Sequence, residues 1–539
     1  MTQENLGPFD YIIVGAGSAG CVLANRLSAD DSVRVCLVEA GDSDWYPWIH
    51  VPIGYFYTIN NPRTDWCYVA EPDANLSNRA IKYPRGRVLG GSSSINAMVY
   101  IRGQAADFDG WAAQGNTGWD WNSVLPYFKK SEDHFQGPSK AHGVGGEIRV
   151  EGLRASWEVL DAFCDAAVEC GIPRTADFNT GDNEGVGYFQ VTQRNGVRMS
   201  TARAFLKPAR KRSNLTVLTN TQVLRVTVQD KVATGLVVKR RGQEMVLTSK
   251  REVILSAGAV GSPQILMLSG IGDANDLQTH GIDSVQHLPG VGRNLQDHIA
   301  IRTMLRIKDT VTLNQQASSL FGRMKMGLDY IFRRRGPLTI PPALVNAFVR
   351  SDPTQPTPDL QFVCYPITYD KLGDPPHAFP GFTAGVCVLH PESRGSIRLK
   401  SADPLMPPAI HLNFLDTEND RRVAVAGLRA LRKVCNSQAM QRFSPVEFLP
   451  GHEIQDDATL LNGIQKMAGT IFHPVGTCKM GSDAESVVDA RLRVHGIKGL
   501  RVVDASIMPK IISGNTNATA IMIGEKASDM IFEDAKANA

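Results

Sequence analysis

The sequence predicts an α/β protein whose N-terminal part contains a strand–helix–strand unit, and three observations support this class. An apolar run, Tyr11 to Val14, has the length and composition of a buried strand. A glycine-rich turn and a helical segment follow it. A second apolar run, Val33 to Val38, then completes a strand–helix–strand unit.

The turn reads Gly15-Ala16-Gly17-Ser18-Ala19-Gly20 and predicts a dinucleotide site. Gly15 makes the turn, Gly17 lets the backbone approach a pyrophosphate, and Gly20 lets the helix pack on the strand. The helix N-terminus favours negative charge at this place. Glu39, at the end of the second strand, is placed to take the adenosine ribose hydroxyls. The pattern does not distinguish NAD from FAD, and a plain strand-to-helix turn is the alternative.

The length, composition, net charge and cysteine count restrict the class of protein. At 539 residues, 43% hydrophobic and 21% charged, the chain predicts two large interleaved globular domains. A net charge of +3 gives no general electrostatic reason to bind nucleic acid. Nine scattered cysteines without a Cys-x-x-Cys pair indicate a reducing cytosol, with no disulfides and no zinc. The early first strand and the lack of long apolar runs predict a cytoplasmic protein.

Two further blocks combine glycines with helical patterns. Gly90 and Gly91, followed by three serines and an apolar run, predict a second backbone cradle that opens a helix. A Ser-capped helix without a ligand is the alternative. The residues from Ser256 to Gly272 predict a strand, a glycine turn and a helix begun by Pro263.

The region from about 300 to 465 has mixed strands, prolines and long loops, and we interpret it as substrate-facing. Its Pro/Gly-rich loop, 369–381, is a candidate lid. The segment 320–335 has an apolar and a basic helical face, which predicts a helix packed on the domain core, with a membrane-surface helix as the alternative. We expect His298 to be a hydrogen-bonded structural residue rather than a ligand.

The last block carries the candidate chemistry. His473 lies in a turn, and its side-chain pKa can be set near neutrality, as a base for a hydroxyl proton requires. Asn515, Thr516 and Asn517 lie where an apolar helix begins. The unpaired N–H groups there suit an electron-rich ring edge that becomes negative on reduction.

With these motifs, the whole chain resembles the glucose–methanol–choline oxidoreductases, FAD enzymes that oxidise alcohols. Four segments carry the resemblance: the N-terminal glycine turn, Gly86 to Arg102, Ser256 to Gly272, and the His473 block with its downstream asparagines. The sequences of these motifs are most similar to those of bacterial alcohol dehydrogenases of alkane utilisation, and less similar to those of choline dehydrogenases. The resemblance implies a Rossmann-like FAD-binding domain (1–153, 199–299 and 466–539) and an interleaved α+β substrate domain on an antiparallel sheet (154–198 and 300–465).

The resemblance also implies roles for individual residues. Cofactor contacts are expected from Gly15, Gly17, Ser18, Ala19, Gly20, Glu39, Ala40, Arg87, Gly90, Gly91, Asn96, Met98, Val99, Val223, Asp504, Ala505, Asn515 and Thr516. His473 and Asn517 are expected to hold the alcohol oxygen, with His473 as the base. Because Ile95 stands where covalently flavinylated members carry His, we expect non-covalent FAD.

A pocket of Ile340, Pro342, Leu344 and Phe472 would favour an uncharged alcohol, since choline-specific members carry an acid near the Leu344 position. The leading hypothesis is therefore FAD-dependent oxidation of primary aliphatic or aromatic alcohols to aldehydes, with a quinone-type electron acceptor and no metal. Alternatives are an oxidase, a choline or sugar-alcohol dehydrogenase, and a lyase or photodecarboxylase. The oligomeric state and a peripheral contact with the inner face of the cytoplasmic membrane stay open.

Overall fold

Two seven-stranded sheets organise the chain in the computed structural model, which describes residues 7–370 and 374–537. The first sheet contains the predicted unit of strand Phe9–Val14, helix Ser18–Leu27 and strand Val35–Val38, with the two strands parallel and Tyr11 opposite Val35. The α/β prediction is confirmed. In spatial order its strands are Leu215–Leu218, Val35–Val38, Phe9–Val14, Gln243–Leu255, Val232–Arg240 and Thr221–Gln229, with Leu500–Val502 also paired to Gln243–Leu255.

The second sheet is antiparallel, as the resemblance implies. In spatial order its strands are Val446–Leu449, Ile299–Arg306, Gly381–Val388, Leu360–Tyr365, Val345–Val349 and Gly185–Tyr188, with Gly469–Thr470 also paired to Ile299–Arg306. Because Gly469–Thr470 joins this sheet from beyond residue 465, the division of the chain into two domains stays a proposal.

Helices cover both sheets. The longer ones are Ser18–Leu27, Ala105–Ala113, Trp121–Ser131, Glu158–Glu169, Gly258–Leu268, Leu320–Arg333, Glu418–Cys435, Asp457–Met467 and Asn517–Ala537. Short helices are Pro47–His50, Tyr55–Thr58, Lys207–Ala209, Ala274–Thr279, Leu313–Ser318 and Gln438–Gln441, with a π-helical turn at Ala202–Leu206 and 3₁₀ turns at Pro52–Gly54, Ala74–Leu76, Gly91–Ser94, Pro337–Thr339 and Ala505–Ile507. A small three-stranded sheet contains Glu132–His134, Ile148–Gly152 and Gln190–Val191. Four strand pairs account for the other short strands: Tyr68–Val69 with Lys82–Tyr83, Gln193–Arg194 with Val197–Arg198, Ile271–Gly272 with Gln286–His287, and Ser396–Arg398 with Ala409–His411.

The C-terminal helix Asn517–Ala537 crosses the first helix of the chain closely. A Cβ on Gly524 would lie 3.0 Å from the Ala19 carbonyl oxygen and 3.0 Å from the Val22 Cβ, so glycine permits this approach. The crossing brings the start of the C-terminal helix to the glycine turn. Of the helices in residues 7–370 and 374–537, none is long and apolar enough to cross a membrane.

Two predicted helix starts differ from the structure. After Gly91–Ser94 the chain leaves the helix, because the Asn96 side-chain oxygen accepts the Met98 N–H at 2.9 Å and Met98 takes a left-handed conformation, φ 61°. The later helix begins at Gly258, with Pro263 inside it. Because Pro263 has no N–H, the Ala259 carbonyl lacks its donor within the helix. The Thr477 hydroxyl donates to this carbonyl instead, at 2.7 Å.

The helix Leu320–Arg333 contacts the core by a narrow edge, with Met326 packed against it, and turns its main apolar face to solvent, which corrects the expectation that this face packs on the core. Tyr330 is its only buried residue. Large apolar side chains on its other face are exposed to solvent. The candidate lid, 369–381, includes residues 371–373, which lie outside the described residues, so this interpretation stays a prediction.

Candidate active site

A cavity of about 550 Å³ is lined by loops at the ends of the first sheet and by one face of the second sheet. Most of the predicted cofactor residues line it: Gly15, Gly17, Ser18, Ala19, Glu39, Ala40, Gly91, Asn96, Met98, Val99, Val223, Asp504, Ala505, Asn515 and Thr516. His473 and Asn517 line it too, as do Pro342 and Phe472 of the predicted pocket. Residues predicted from segments at both ends and in the middle of the chain therefore line one cavity.

Three predicted cofactor residues lie behind the cavity wall. A Cβ on Gly20 would lie 1.9 Å from the Gly15 carbonyl oxygen, so Gly20 serves the close packing of the helix on the turn. The Gly90 N–H donates to the Ala16 carbonyl at 2.7 Å. The Arg87 guanidinium stacks over the Trp66 ring at 5.0 Å. These residues support the wall without lining it.

Two predicted pocket residues are wrong. Ile340 and Leu344 are buried in the apolar core, at 3% and 0% exposure. Leu344 leads into strand Val345–Val349, where neighbouring residues point to opposite faces of the sheet. Ala343 therefore faces the cavity and Leu344 faces away from it.

The glycine segments fit a dinucleotide by leaving backbone where side chains would otherwise stand. Gly15 has φ +95°, and a Cβ there would lie 2.6 Å from the Ser256 carbonyl oxygen. A Cβ on Gly91 would lie 2.7 Å from the Gly17 Cα. The N-terminus of helix Ser18–Leu27 opens between these backbones, and such a terminus binds the diphosphate of a cofactor.

Glu39 lies in the cavity wall and holds the turn in shape. Its carboxylate accepts the Ala16 and Gly41 N–H groups, each at 2.8 Å. Burial raises the pKa of Glu39 to about 7, and these two hydrogen bonds oppose the rise. The role of Glu39 toward a ribose stays a prediction.

Asp504 fixes the opposite wall. Its Oδ2 accepts the Gly258 N–H at 2.8 Å and the Ser262 hydroxyl at 2.5 Å, and its Oδ1 accepts the Ser506 N–H at 2.8 Å. These bonds join the third glycine turn to the 3₁₀ turn Ala505–Ile507. Ala505 is thereby held against the cavity.

The asparagine beside His473 differs from the predicted one. Asn515 has its Nδ2 atom 3.0 Å from His473 Nε2, while Asn517 lines the same cavity and its catalytic role stays a prediction. Asn517 is the first residue of the C-terminal helix, and its Oδ1 accepts the Ser18 hydroxyl at 2.7 Å. Asn515 precedes the helix, so its side chain reaches the turn that carries His473, whereas Asn517 contacts the glycine turn.

A hydrogen-bonded chain fixes the tautomer of His473. The Leu389 carbonyl can only accept, so His298 Nε2, 3.2 Å away, carries a proton and donates it. His298 Nδ1 of the neutral ring must then accept, and the Nδ1–H of His473 donates to it at 3.0 Å. His473 Nε2 therefore carries no proton, and its lone pair accepts the Asn515 Nδ2–H at 3.0 Å. His298 is thus hydrogen-bonded, as expected.

The surroundings keep both imidazoles neutral. Burial holds the pKa of His473 well below its usual range, and the neighbouring His298 and Arg85 lower it further. Burial also lowers the pKa of His298 to about 4. The backbone of the His473 turn is held by Asp297, whose Oδ1 accepts the His473 N–H at 2.8 Å, and by Arg85, which donates to the Phe472 carbonyl at 2.7 Å.

This arrangement can activate a hydroxyl group. The lone pair on His473 Nε2 can accept a hydroxyl proton, and the Asn515 amide N–H can donate to the same oxygen. Both groups line the cavity, and Asn515 Oδ1 is buried without a hydrogen-bond partner. The site therefore combines a neutral base with a neutral donor.

Sequence reasoning missed several of these residues. The segment of Asp297 and His298 was noted for its histidine, but only the fold places these residues beside His473, 176 and 175 positions later. Gln361 gave no sequence signal. It lines the cavity at 1% exposure, and its Oε1 has no hydrogen-bond partner.

One cluster away from the cavity offers ligand atoms for a metal: Glu132, His134 and His142. Its carboxylate is already paired with the Arg102 guanidinium at 2.9 Å and with His142 at 3.0 Å, and His142 also contacts Asp177 at 2.7 Å. Hydrogen bonds to these carboxylates outweigh burial and raise the pKa of His142 to about 9. We interpret the cluster as a buried ion-pair network.

Comparison with known proteins agrees with this geometry. The family model described as GMC oxidoreductase matches residues 9–300 in its N-terminal part and 391–524 in its C-terminal part. The chain is 44% identical over 527 residues to the alcohol dehydrogenase [acceptor] of Pseudomonas putida, which covers 97% of this chain and 95% of that protein. It is 40% identical over 538 residues to the mitochondrial choline dehydrogenase of Homo sapiens, with 98% and 90% covered.

A solved structure shows the same fold over the full chain. The pyridoxine 4-oxidase of "Mesorbium loti" superposes with a TM-score of 0.88 at 32% identity, and the match covers 97% of this chain and 98% of that one. The chain belongs to the GMC oxidoreductase family, and it is an FAD-binding oxidoreductase that acts on CH–OH groups.

Proposed function

We propose that the protein oxidises uncharged primary alcohols, aliphatic or aromatic, to aldehydes and passes the electrons to a quinone-type acceptor. The observation that carries this proposal is the unprotonated His473 Nε2 facing the cavity, 3.0 Å from the amide nitrogen of Asn515. FAD held in this cavity would supply the acceptor for a hydride from the carbinol carbon. Asn515 takes the substrate-facing role that we first gave to Asn517.

The chain's own residues would handle the hydroxyl group. The substrate hydroxyl would replace the direct hydrogen bond between Asn515 and His473, donating to His473 Nε2 and accepting from the Asn515 amide. His473 takes the proton at Nε2 as the carbon loses its hydride. Its Nδ1–H bond to His298 keeps the ring oriented throughout, and orientation of this kind supplies a large part of an enzymatic rate.

The charges in the cavity support an uncharged substrate. Glu39 and Asp504 are the acids among the described lining residues, and both are held by backbone N–H groups. The lining cations are Arg85 and Arg302, and the Arg302 guanidinium already lies 5.1 Å from the Tyr369 ring centre. These cations would repel a quaternary ammonium, and Arg302 already covers the Tyr369 ring that could bind one. Both effects disfavour choline.

The acceptor and the mode of FAD binding are parts of the same proposal. The P. putida relative is named for an acceptor without specifying it, and the quinone-type acceptor is our proposal for this chain. Ile95 lines the cavity with an alkyl side chain, which cannot bond covalently to a flavin. Acid precipitation should therefore release all FAD into the supernatant, and slow reoxidation of the alcohol-reduced protein in air would support a dehydrogenase.

Replacement of the proposed base tests the function. We expect His473→Ala to slow anaerobic reduction of the flavin by a primary alcohol by about 10²–10⁴-fold, the usual range for a positioned base, with FAD still bound. His411→Ala is the matched control, because His411 is exposed on a short strand. Equal rates for wild type and His473→Ala would contradict the proposal.

A further inference from the structure

The helix Leu320–Arg333 presents its apolar face to solvent. Six large apolar side chains on it are strongly exposed: Leu320 (84%), Phe321 (72%), Met324 (55%), Leu328 (48%), Ile331 (63%) and Phe332 (78%). At about 100° per residue, the six fall within one arc of roughly 120°. A surface helix ordinarily turns such an arc toward the core, so this face is built to be covered by something else.

Basic residues accompany this face. The segment 320–335 carries five cations, Arg323, Lys325, Arg333, Arg334 and Arg335, against one acid, Asp329. Asp329 is already paired with Arg333 at 3.7 Å. Lys325 and Arg335 are exposed. An exposed apolar arc beside excess positive charge is the pattern of a helix that lies in the interface of an anionic membrane.

The helix is anchored to the walls of the cavity at both ends. The helix before it, Leu313–Ser318, is held by Asn314, whose amide exchanges hydrogen bonds with the Thr368 backbone, each at 3.1 Å. Thr368 lies between Tyr365 and Tyr369, which both line the cavity. After the helix, the 3₁₀ turn Pro337–Thr339 leads to Pro342 in the cavity wall. A surface bound to this helix would lie beside those segments.

We propose that helix Leu320–Arg333 docks on an anionic phospholipid surface, with its apolar arc in the headgroup region and its cations on the lipid phosphates. The docking surface itself rests on the helix alone. Its use rests on the proposed function, since apolar alcohols and quinones both partition into lipid and the helix would hold the cavity walls close to that reservoir.

Vesicle co-sedimentation of the FAD-loaded protein tests the proposal. We expect sedimentation with phosphatidylglycerol–phosphatidylcholine vesicles, and much less with phosphatidylcholine alone. Phe321→Ser combined with Phe332→Ser should lower the partition coefficient by about tenfold per phenylalanine. The control pair, Val246→Ser with Leu405→Ser, removes side chains of 64% and 52% exposure elsewhere and should leave it unchanged. Lys325→Glu with Arg335→Glu should abolish the preference for anionic vesicles.

Several outcomes would overturn the docking surface. One is no sedimentation with either vesicle; another is an equal loss in the control pair. A dimer in analytical ultracentrifugation that disappears in the Phe321/Phe332 variant, without vesicle binding, would assign the arc to a second copy of the chain. Anaerobic flavin reduction by alcohol without vesicles separates the two proposals: its absence would remove the proposed function and leave the vesicle result standing.

Discussion

The exchange of roles between two asparagines gives the sharpest prediction. Asn515→Ala and Asn517→Ala make the same chemical change two residues apart. Asn515 places an amide N–H 3.0 Å from the proposed base, whereas Asn517 accepts the Ser18 hydroxyl beside the glycine turn. We therefore expect Asn515→Ala to impair the chemical step and Asn517→Ala to weaken the hold on the cofactor.

The magnitudes follow from the kind of hydrogen bond lost. Removing one donor aimed at a reacting oxygen costs roughly 10²–10³-fold in rate, so Asn515→Ala should slow reduction by that factor. Removing the Asn517 contact to Ser18 costs about 1 kcal/mol, which is a change of less than tenfold in FAD affinity.

Anaerobic stopped-flow reduction by a saturating primary alcohol measures the first effect, and FAD titration of the apoprotein measures the second. Each variant serves as the control for the other. A large loss of reduction rate in Asn517→Ala, with Asn515→Ala within threefold of wild type, would refute the reasoning and restore the pairing suggested by the sequence.

Three further predictions concern pH, cofactor retention and the cavity wall. Because the pKa of His473 is depressed, its neutral form persists as pH falls, so the reduction rate should stay constant from pH 8 to pH 6.5 and decline only below that range; a decline centred above pH 6.5 would contradict the buried, neutral base. Gly91→Ala should lower FAD content and cost about 1–2 kcal/mol or more in urea unfolding, whereas Gly137→Ala, at φ +92° with nothing within 4 Å, has the backbone strain alone and should keep full FAD. Gln361→Leu should raise the free energy of unfolding by about 1 kcal/mol in urea titration, because it removes a buried oxygen without a partner; a loss of stability would show that Gln361 is satisfied in the folded protein.

The sequence predicted the parts of the fold in which local pattern and tertiary packing agree. The glycine turn and its flanking strands could be recognised because every position there meets a local steric demand, such as φ +95° at Gly15. The helix at Gly258 was placed with the wrong start, since the donor that makes Pro263 tolerable is Thr477, more than 200 positions away. A partner so distant in sequence leaves no local signal.

The same difference between local patterns and distant contacts explains which residues of the candidate site could be predicted. His473 could be predicted because its residue type suits base chemistry, but the choice between Asn515 and Asn517 depends on the residue at which the helix begins, and helix boundaries are the least certain feature of a sequence pattern. For segment 320–335 the amphipathic pattern was correctly identified, whereas its direction was not. Periodicity gives the two faces of a helix and does not say which one the protein covers.

The most direct test of the account is an anaerobic titration of the FAD-loaded protein, followed at the flavin absorbance, with hexanol, benzyl alcohol, choline and a sugar alcohol. We expect full bleaching by hexanol or benzyl alcohol, little by choline, and loss of the fast phase in His473→Ala. A bound flavin that none of these alcohols bleaches would contradict the proposed oxidation. Bleaching by choline alone would contradict the uncharged substrate inferred from Arg85 and Arg302.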